Sequence, residues 1–112
     1  MENKEIGIFK ALSESIRMRI MALLSRGELC VCDLMGALKL PQSTTSRHLA
    51  ILRSIGLITD RRQGNWKYFR INEAVEFPMN ELNSIINRFL DGEPYQTDYL
   101  NLLDYQKEKN CS

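Results

Sequence analysis

The sequence predicts a mainly α-helical domain with one β-hairpin, arranged as a winged helix-turn-helix. Two observations support this prediction. Apolar residues recur with the 3.6-residue period of helices as far as residue 56, then with the two-residue period of strands, and then with the helical period again. In addition, two of the helical segments are separated only by a short turn around Pro41, which is the spacing of a helix-turn-helix unit.

The first two helices are predicted from apolar stripes and from the residues at their ends. Residues 6–12 indicate a short first helix. A second helix is expected to begin after Ser13 or Ser15, because the apolar residues between positions 16 and 24 lie on one helical face. Gly27 is suited to end this helix.

The third and fourth helices form the predicted helix-turn-helix. The third is expected over Val31–Leu38, with Asp33 near its positive end. The fourth is expected to be capped by Ser43 and to run to Ser54, just before Gly56.

The hairpin and a closing helix follow. Residues 57–61 and 66–71 alternate as strands do, and they are joined through Gln63-Gly64-Asn65, which is suited to a turn. Pro78 is placed near the start of a fifth helix, whose apolar stripe covers positions 82–89.

Length and composition favour one domain that neither crosses nor binds a membrane. The chain has 112 residues, which we divide into a winged-helix domain over 1–92 and a tail over 93–112 whose apolar residues permit a sixth helix. No apolar run approaches the roughly 20 residues that span a bilayer, and the acidic N-terminus is unlike a signal peptide. We therefore expect a cytoplasmic protein. One histidine, scattered acids and the lack of a glycine-rich phosphate loop argue against an enzyme.

Positive charge is concentrated in the segment that contains the fourth helix and the hairpin. Residues 41–71 carry a net charge of +5, whereas residues 72–112 carry −5. Because a helix-turn-helix places its second helix in the major groove, the expected anionic partner is double-stranded DNA. The alternative is that the hydroxyl side chains only cap a helix and that the arginines form a solvated surface.

The fourth helix and the hairpin supply the predicted DNA contacts. Small hydroxylated side chains allow the start of the helix to approach phosphates closely, and longer side chains can reach base edges. The hairpin is expected to contact phosphates or the minor groove. The predicted residues are Gln42, Ser43, Thr44, Thr45, Arg47 and His48 in the helix, and Arg61, Arg62, Gln63, Asn65 and Lys67 in the hairpin.

Cys30 and Cys32 form a Cys-X-Cys pair that indicates metal or redox chemistry. Thiolates are soft ligands, and the positive end of a helix lowers a thiol pKa. On a regular helix, however, side chains two positions apart point about 200° away from each other. Both sulfurs can bind one ion only if this turn is irregular, and binding would then distort the first helix of the helix-turn-helix. The alternatives are that both cysteines are small buried hydrophobic residues, or that they oxidise to a strained disulfide.

Over about residues 8–90 the sequence resembles the ArsR (ArsR/SmtB) family of metal-responsive bacterial repressors. The string Glu-Leu-Cys-Val-Cys-Asp-Leu matches the metal-binding box of that family. The resemblance implies a homodimeric repressor that binds a palindromic operator and leaves it when a metal or metalloid binds. The segments that carry it are Leu12–Ile20, Glu28–Leu34, Ser46–Arg53, Gly56–Ile58 and Arg62–Gly64.

The resemblance also implies where the two subunits meet. In the family the first and fifth helices form the dimer interface, which agrees with the apolar stripe of the fifth helix. The implied interface residues are Phe9, Leu82, Ile85, Ile86 and Phe89.

The resemblance implies As(III) or Sb(III) as the inducer, with no organic cofactor. Arsenic-sensing members carry a third cysteine three residues after the second, where this chain has Met35. A third thiolate is therefore either absent or supplied by Cys111 or by a free thiol in solution, and the alternative for Cys111 is an exposed thiol without a role. Cadmium- and lead-sensing members add cysteines from the N-terminal arm, but this chain has no cysteine before Cys30. Zinc-sensing members use Asp and His on the fifth helix, but Met79–Leu90 contains neither Asp nor His. Cadmium, lead or thiol oxidation stay as alternatives.

Overall fold

The computed structural model describes residues 4–75 and 78–109. These residues form six helices and one three-stranded sheet. In chain order the elements are α1 (Lys4–Leu12), α2 (Ser15–Leu24), β1 (Leu29–Cys30), α3 (Val31–Leu38), α4 (Gln42–Ser54), β2 (Ile58–Gln63), β3 (Trp66–Ile71), α5 (Met79–Phe89) and α6 (Tyr95–Glu108). The predicted winged helix-turn-helix is confirmed, with α3 and α4 as its two helices and β2–β3 as the wing.

Two helix caps differ from the sequence prediction. The cap of α2 is Glu14, whose carboxylate accepts backbone hydrogen bonds at 3.1 and 3.3 Å, and not a serine hydroxyl. The cap of α4 is Pro41, so Ser43 lies inside the first turn and the prediction that it caps this helix was wrong. The physical reason is that the Pro41 carbonyl already accepts from the Thr45 backbone N–H at 3.1 Å and from its hydroxyl at 3.0 Å, which starts the helix two residues earlier.

The sheet contains a strand that the sequence did not predict. β3 is central, and both β1 and β2 pair with it in antiparallel orientation. β1 has only two residues, too few to show a two-residue period, and it pairs Leu29 with Phe69 and Cys30 with Tyr68. As a result, Cys30 is attached directly to the root of the wing. β2 continues through Gln63, so the turn of the wing is shorter than predicted.

The hydrophobic core contains residues from all six helices and from the sheet. α6 packs against α2 and α3, with Leu102 only 4% exposed and the Asp98 carboxylate buried against Arg19 of α2. The sixth helix that the sequence permitted is therefore present and joins the core. In the described residues, every helix is too short or too polar to cross a bilayer.

Candidate DNA interface and thiol site

The outer face of α4 begins with polar side chains open to solvent. Gln42, Ser43, Ser46 and Arg47 are exposed and Thr44 is half-buried. These residues occupy the first two turns, where free backbone N–H groups and the positive end of the helix favour an anion. This end of α4 can therefore approach a phosphate backbone closely.

Two of the predicted contacts, Thr45 and His48, point into the protein. Thr45 is 0% exposed and its hydroxyl donates to the Pro41 carbonyl. His48 is 6% exposed, and its Nδ1 lies 3.5 Å from a Glu14 carboxylate oxygen and 3.3 Å from Arg17 Nη1 of α2. The prediction that these side chains contact DNA was wrong, because they share the inward stripe of the helix with Leu49.

The burial of His48 gives a testable pH dependence of stability. Burial lowers the pKa of His48 below its ordinary value of 6.5, while the Glu14 carboxylate acts in the opposite direction. The unfolded chain therefore takes up a proton near pH 6.5 that the folded chain takes up only at lower pH, so the free energy of unfolding should fall as the pH drops below 6.5. We expect the urea midpoint to decrease between pH 7.5 and 5.5, and to decrease less in a His48→Asn variant. Equal decreases in both proteins would contradict this assignment.

The cations of the wing are not equivalent. Arg61 forms a two-point ion pair with Glu28, at 2.7 and 2.9 Å, and its guanidinium lies 4.9 Å from the Tyr68 ring centre. Lys67 pairs with Asp60 at 3.0 Å. Within the described residues, Arg62 is exposed and takes part in no ion pair. Arg62 can therefore neutralise a phosphate without breaking an existing ion pair.

The start of α4 and the wing meet around one groove of about 430 Å³. The structure thus brings together Gln42, Arg62, Asn65 and Lys67, which the sequence predicted for DNA contact. Cys32 also lines this groove, so one of the two predicted thiols is next to the candidate DNA interface. The sequence prediction did not include four further residues that line the groove: Ser46, Ala50, Arg53 and Trp66. A helical wheel of α4 places the first three on the outer face, and the alternation of β3 does the same for Trp66.

Cys30 has a different environment from Cys32. It is the N-cap of α3 with an extended backbone, so only Cys32 lies within the helix, whose predicted start at Val31 is confirmed. Its Sγ accepts from the Asp33 backbone N–H at 3.4 Å, and its own N–H donates to the Asp33 carboxylate at 3.1 Å. On the other side, Lys109 Nζ from the end of α6 lies 3.8 Å from the sulfur.

The acidity of Cys30 also differs from the prediction. Burial raises the pKa of the Cys30 thiol, because the side chain is 2% exposed and a thiolate is poorly solvated there. The helix end and Lys109 act in the opposite direction and do not outweigh burial. Cys30 is therefore held as a protonated thiol in the inducer-free protein.

The described residues supply two thiols and no complete three-ligand site. Within residues 4–75 and 78–109, no three Cys, His, Asp or Glu side chains are close enough together to hold a metal ion. The predicted third ligand, Cys111, lies outside the described residues. Two soft sulfurs fit a thiophilic ion that accepts a third donor from elsewhere.

The implied dimer residues divide into two groups. Phe9, Ile85 and Phe89 are 62%, 50% and 47% exposed and are available at the surface of the protomer. Leu82 and Ile86 are 8% and 1% exposed because they pack into the core of their own protomer, so the structure contradicts their assignment to the interface.

Comparison with known proteins gives a consistent family relationship. The profile of the bacterial regulatory protein, arsR family, matches residues 14–60. An arsenical resistance operon repressor of Staphylococcus aureus is 40% identical over 88 residues, which are 78% of this chain and 85% of that protein. A solution structure from Mycobacterium bovis, described as a homodimeric winged helix-turn-helix DNA-binding domain of a possible ArsR-family regulator, superimposes with a TM-score of 0.67 at 30% identity, covering 79% of each chain.

A second relative is longer than the matched region. An arsenic resistance transcriptional regulator of Pseudomonas putida is 50% identical over 76 residues, or 67% of this chain. The match covers 66% of that protein, so this chain spans slightly less than two thirds of its length.

Proposed function

Because this chain belongs to the arsR family of bacterial regulatory proteins, we propose that it is a homodimeric transcriptional repressor that leaves a palindromic operator when As(III) or Sb(III) binds Cys30 and Cys32. The observation that carries this proposal is the position of the two thiols at the start of α3. Cys32 lines the groove between α4 and the wing, and Cys30 caps the helix that precedes α4.

The DNA-binding part of the proposal is supported by the exposed polar end of α4 and by the wing. Arg47 and Arg62 are exposed and, within the part of the chain that the structure describes, take part in no ion pair. Each is therefore free to replace a counterion on a phosphate, which predicts an affinity that falls as salt concentration rises. The relatives that share the family are named as repressors of arsenical resistance, which supports an operator as the target.

The inducer part is supported by the chemistry of the thiols. As(OH)₃ is thiophilic, and each thiol that binds it forms an S–As bond while one hydroxyl leaves with the thiol proton as water. No electron is transferred and no net proton is released. A buried protonated thiol such as Cys30 can therefore react without first becoming a stable thiolate.

A mechanism for release follows from the different surroundings of the two sulfurs. Cys30 is held by the Asp33 N–H and Cys32 lines the groove at the DNA face. An arsenic atom bonded to both sulfurs would compete with the Asp33 N–H for the Cys30 sulfur and so change the cap of α3. Because α3 positions α4, we propose that this change misaligns the two recognition helices of the dimer.

We further propose that Cys111 completes the site as a third thiolate. The supporting observation is that Lys109, only two residues before it, lies beside Cys30. Two peptide units limit the Cα–Cα separation of Lys109 and Cys111 to no more than about 8 Å. A thiol from solution is the competing source of the third sulfur.

The proposal is tested by fluorescence anisotropy of the protein on DNA from upstream of its own gene, titrated with sodium arsenite. We expect tight binding at low salt and complete release by arsenite. Binding that arsenite and antimonite do not change would overturn the inducer assignment, and failure to bind any duplex would overturn the DNA-binding assignment.

The same assay tests the recognition helix. We expect Arg47→Ala to weaken operator binding by about 1–3 kcal/mol, because an exposed cation at the start of α4 is lost from the DNA contact. Lys107→Ala is the matched control, since it removes one exposed positive charge from α6, away from the groove. Equal affinities for the two variants would show that α4 is misassigned as the reading element.

A further inference from the structure

Three residues of α6 and its C-terminal end pack along α3, the helix that begins at the two thiols. Asn101, Tyr105 and Lys109 are four residues apart and so lie on one face of α6 or at its end. Asn101 Nδ2 donates to the Ala37 carbonyl at 3.3 Å, at the far end of α3. We refer to these three residues as the C-terminal strap. Going from the start to the end of α6, the contacts of the strap move from the end of α3 toward its start and finish at Cys30.

The middle of the strap depends on a glycine. A Cβ atom built on Gly36 would lie 2.3 Å from Cγ of the Tyr105 ring, far inside contact distance. Glycine normally weakens a helix interior by about 1 kcal/mol relative to alanine. Its presence in α3 is explained by the direct packing of the Tyr105 ring against the α3 backbone.

The end of the strap covers the thiol. The Lys109 ammonium forms an ion pair with the Asp33 carboxylate and lies 3.8 Å from Cys30 Sγ. Both acceptors are almost fully buried, at 4% exposure for Asp33 and 2% for Cys30. A group bonded to the Cys30 sulfur from this side would need the space that Lys109 occupies.

We propose that the C-terminal strap closes over Cys30 and sets the sensitivity to the inducer, because its end must detach before an arsenical can bond to the sulfur. This inference rests on the proposed function. Closure and inducer binding compete, so the apparent dissociation constant is raised by the ratio of closed to open protein. Gly36, Tyr105 and Lys109 are then positioning residues of the inducer site.

The test uses variants that detach the strap without changing either bonding thiol. Gly36→Ala introduces a Cβ where the Tyr105 ring lies while favouring the α3 helix itself, and Tyr105→Ala removes the ring. Both are made in a Cys111→Ser background and titrated with phenylarsonous acid, whose two hydroxyls are replaced by two thiols while its phenyl group fills the third position. A third protein thiolate is therefore not needed.

We expect both variants to bind phenylarsonous acid about tenfold more tightly than the Cys111→Ser parent, because loss of the ring contact raises the fraction of protein in which the strap is open. The double variant Gly36→Ala/Tyr105→Ala should show no further gain, since both changes remove the same contact. Gln106→Ala, an exposed position next to Tyr105, is the control and should match the parent. Thermal unfolding of each protein verifies that it is folded.

A second readout does not depend on arsenic. In a Cys32→Ser/Cys111→Ser background, the rate of Cys30 alkylation by a maleimide should rise by a similar factor when Tyr105 is replaced.

The outcomes separate this inference from the proposed function. Unchanged or weaker arsenical binding together with an unchanged alkylation rate would overturn the strap. Faster alkylation in proteins whose DNA binding does not respond to any arsenical would support the strap and overturn the inducer assignment.

Discussion

A Cys32→Ser protein is expected to bind operator DNA normally and to remain bound at arsenite concentrations that release the natural chain. Cys32 lines the groove between α4 and the wing, so its bond to arsenic is the one that reaches the DNA interface most directly. Changing operator occupancy from 99:1 to 1:99 requires the inducer to prefer the DNA-free form by about 5.5 kcal/mol. Loss of the bond between Cys32 and arsenic removes most of that preference. Anisotropy titrations with arsenite, at equal protein and salt concentrations, measure the effect.

The Cys30→Ser variant tests the role of the other thiol while preserving the cap of α3. Serine is among the best N-cap residues, so its hydroxyl can keep the Asp33 N–H bonded in place of the sulfur and α3 should retain its start. We therefore expect unchanged DNA affinity and lost release, which assigns the defect to arsenic binding and not to folding. Lost release in Cys111→Ser as well would support Cys111 as the third thiolate. Ordinary release by Cys32→Ser would remove that cysteine from the mechanism.

The helices and the wing could be predicted because each of them is encoded by local periodicity. α3 has the predicted bounds of Val31–Leu38, and β3 has the predicted bounds of Trp66–Ile71. Arg53 of α4 and Arg62 and Lys67 of the wing line one groove, in the segment between positions 41 and 71 where basic residues are concentrated. These features could be predicted because the residues that form each of them are close together in the sequence.

Several differences from the prediction arise where the decisive contact is distant in the sequence. His48 is polar and lies beside Arg47, yet it is buried because Glu14 and Arg17 of α2 provide polar partners for it. Cys30 forms a strand pair with Tyr68 of the wing, which the sequence did not predict. Neither partner can be identified from the residues next to His48 or Cys30.

The packing of α6 shows the same limit. The apolar residues of this segment permitted a helix. They did not show that the Tyr105 ring packs where Gly36 has no side chain, or that Lys109 pairs with Asp33. A glycine in a short helix and a lysine near the C-terminus carry no local signal of such contacts. Their roles can be recognised only once the structure shows that α3 and α6 pack side by side.

The largest expected loss of stability follows replacement of Arg19 by methionine. Arg19 of α2 donates two hydrogen bonds to the Asp98 carboxylate of α6, at 2.8 and 2.7 Å, and that carboxylate side chain is only 3% exposed. Arg19→Met keeps the aliphatic length but leaves a buried charge without its partner, which costs about 3–5 kcal/mol. Small domains are stable by only about 5–15 kcal/mol, so much of the free energy of unfolding should be lost. Urea unfolding followed by circular dichroism measures the difference.

The double variant Arg19→Met/Asp98→Leu distinguishes the cost of an unpaired charge from the value of the pair. When both charges are replaced by apolar side chains of similar size, no buried carboxylate remains and stability should return to within about 1–2 kcal/mol of the natural chain. Recovery would show that the Arg19–Asp98 pair mainly specifies where α6 docks on α2, with little net stabilisation. Because the C-terminal strap lies on the same helix, Arg19→Met should also make Cys30 more reactive toward a maleimide, and the double variant should reverse that change. A double variant as unstable as Arg19→Met would instead mean that the hydrogen bonds themselves stabilise this junction.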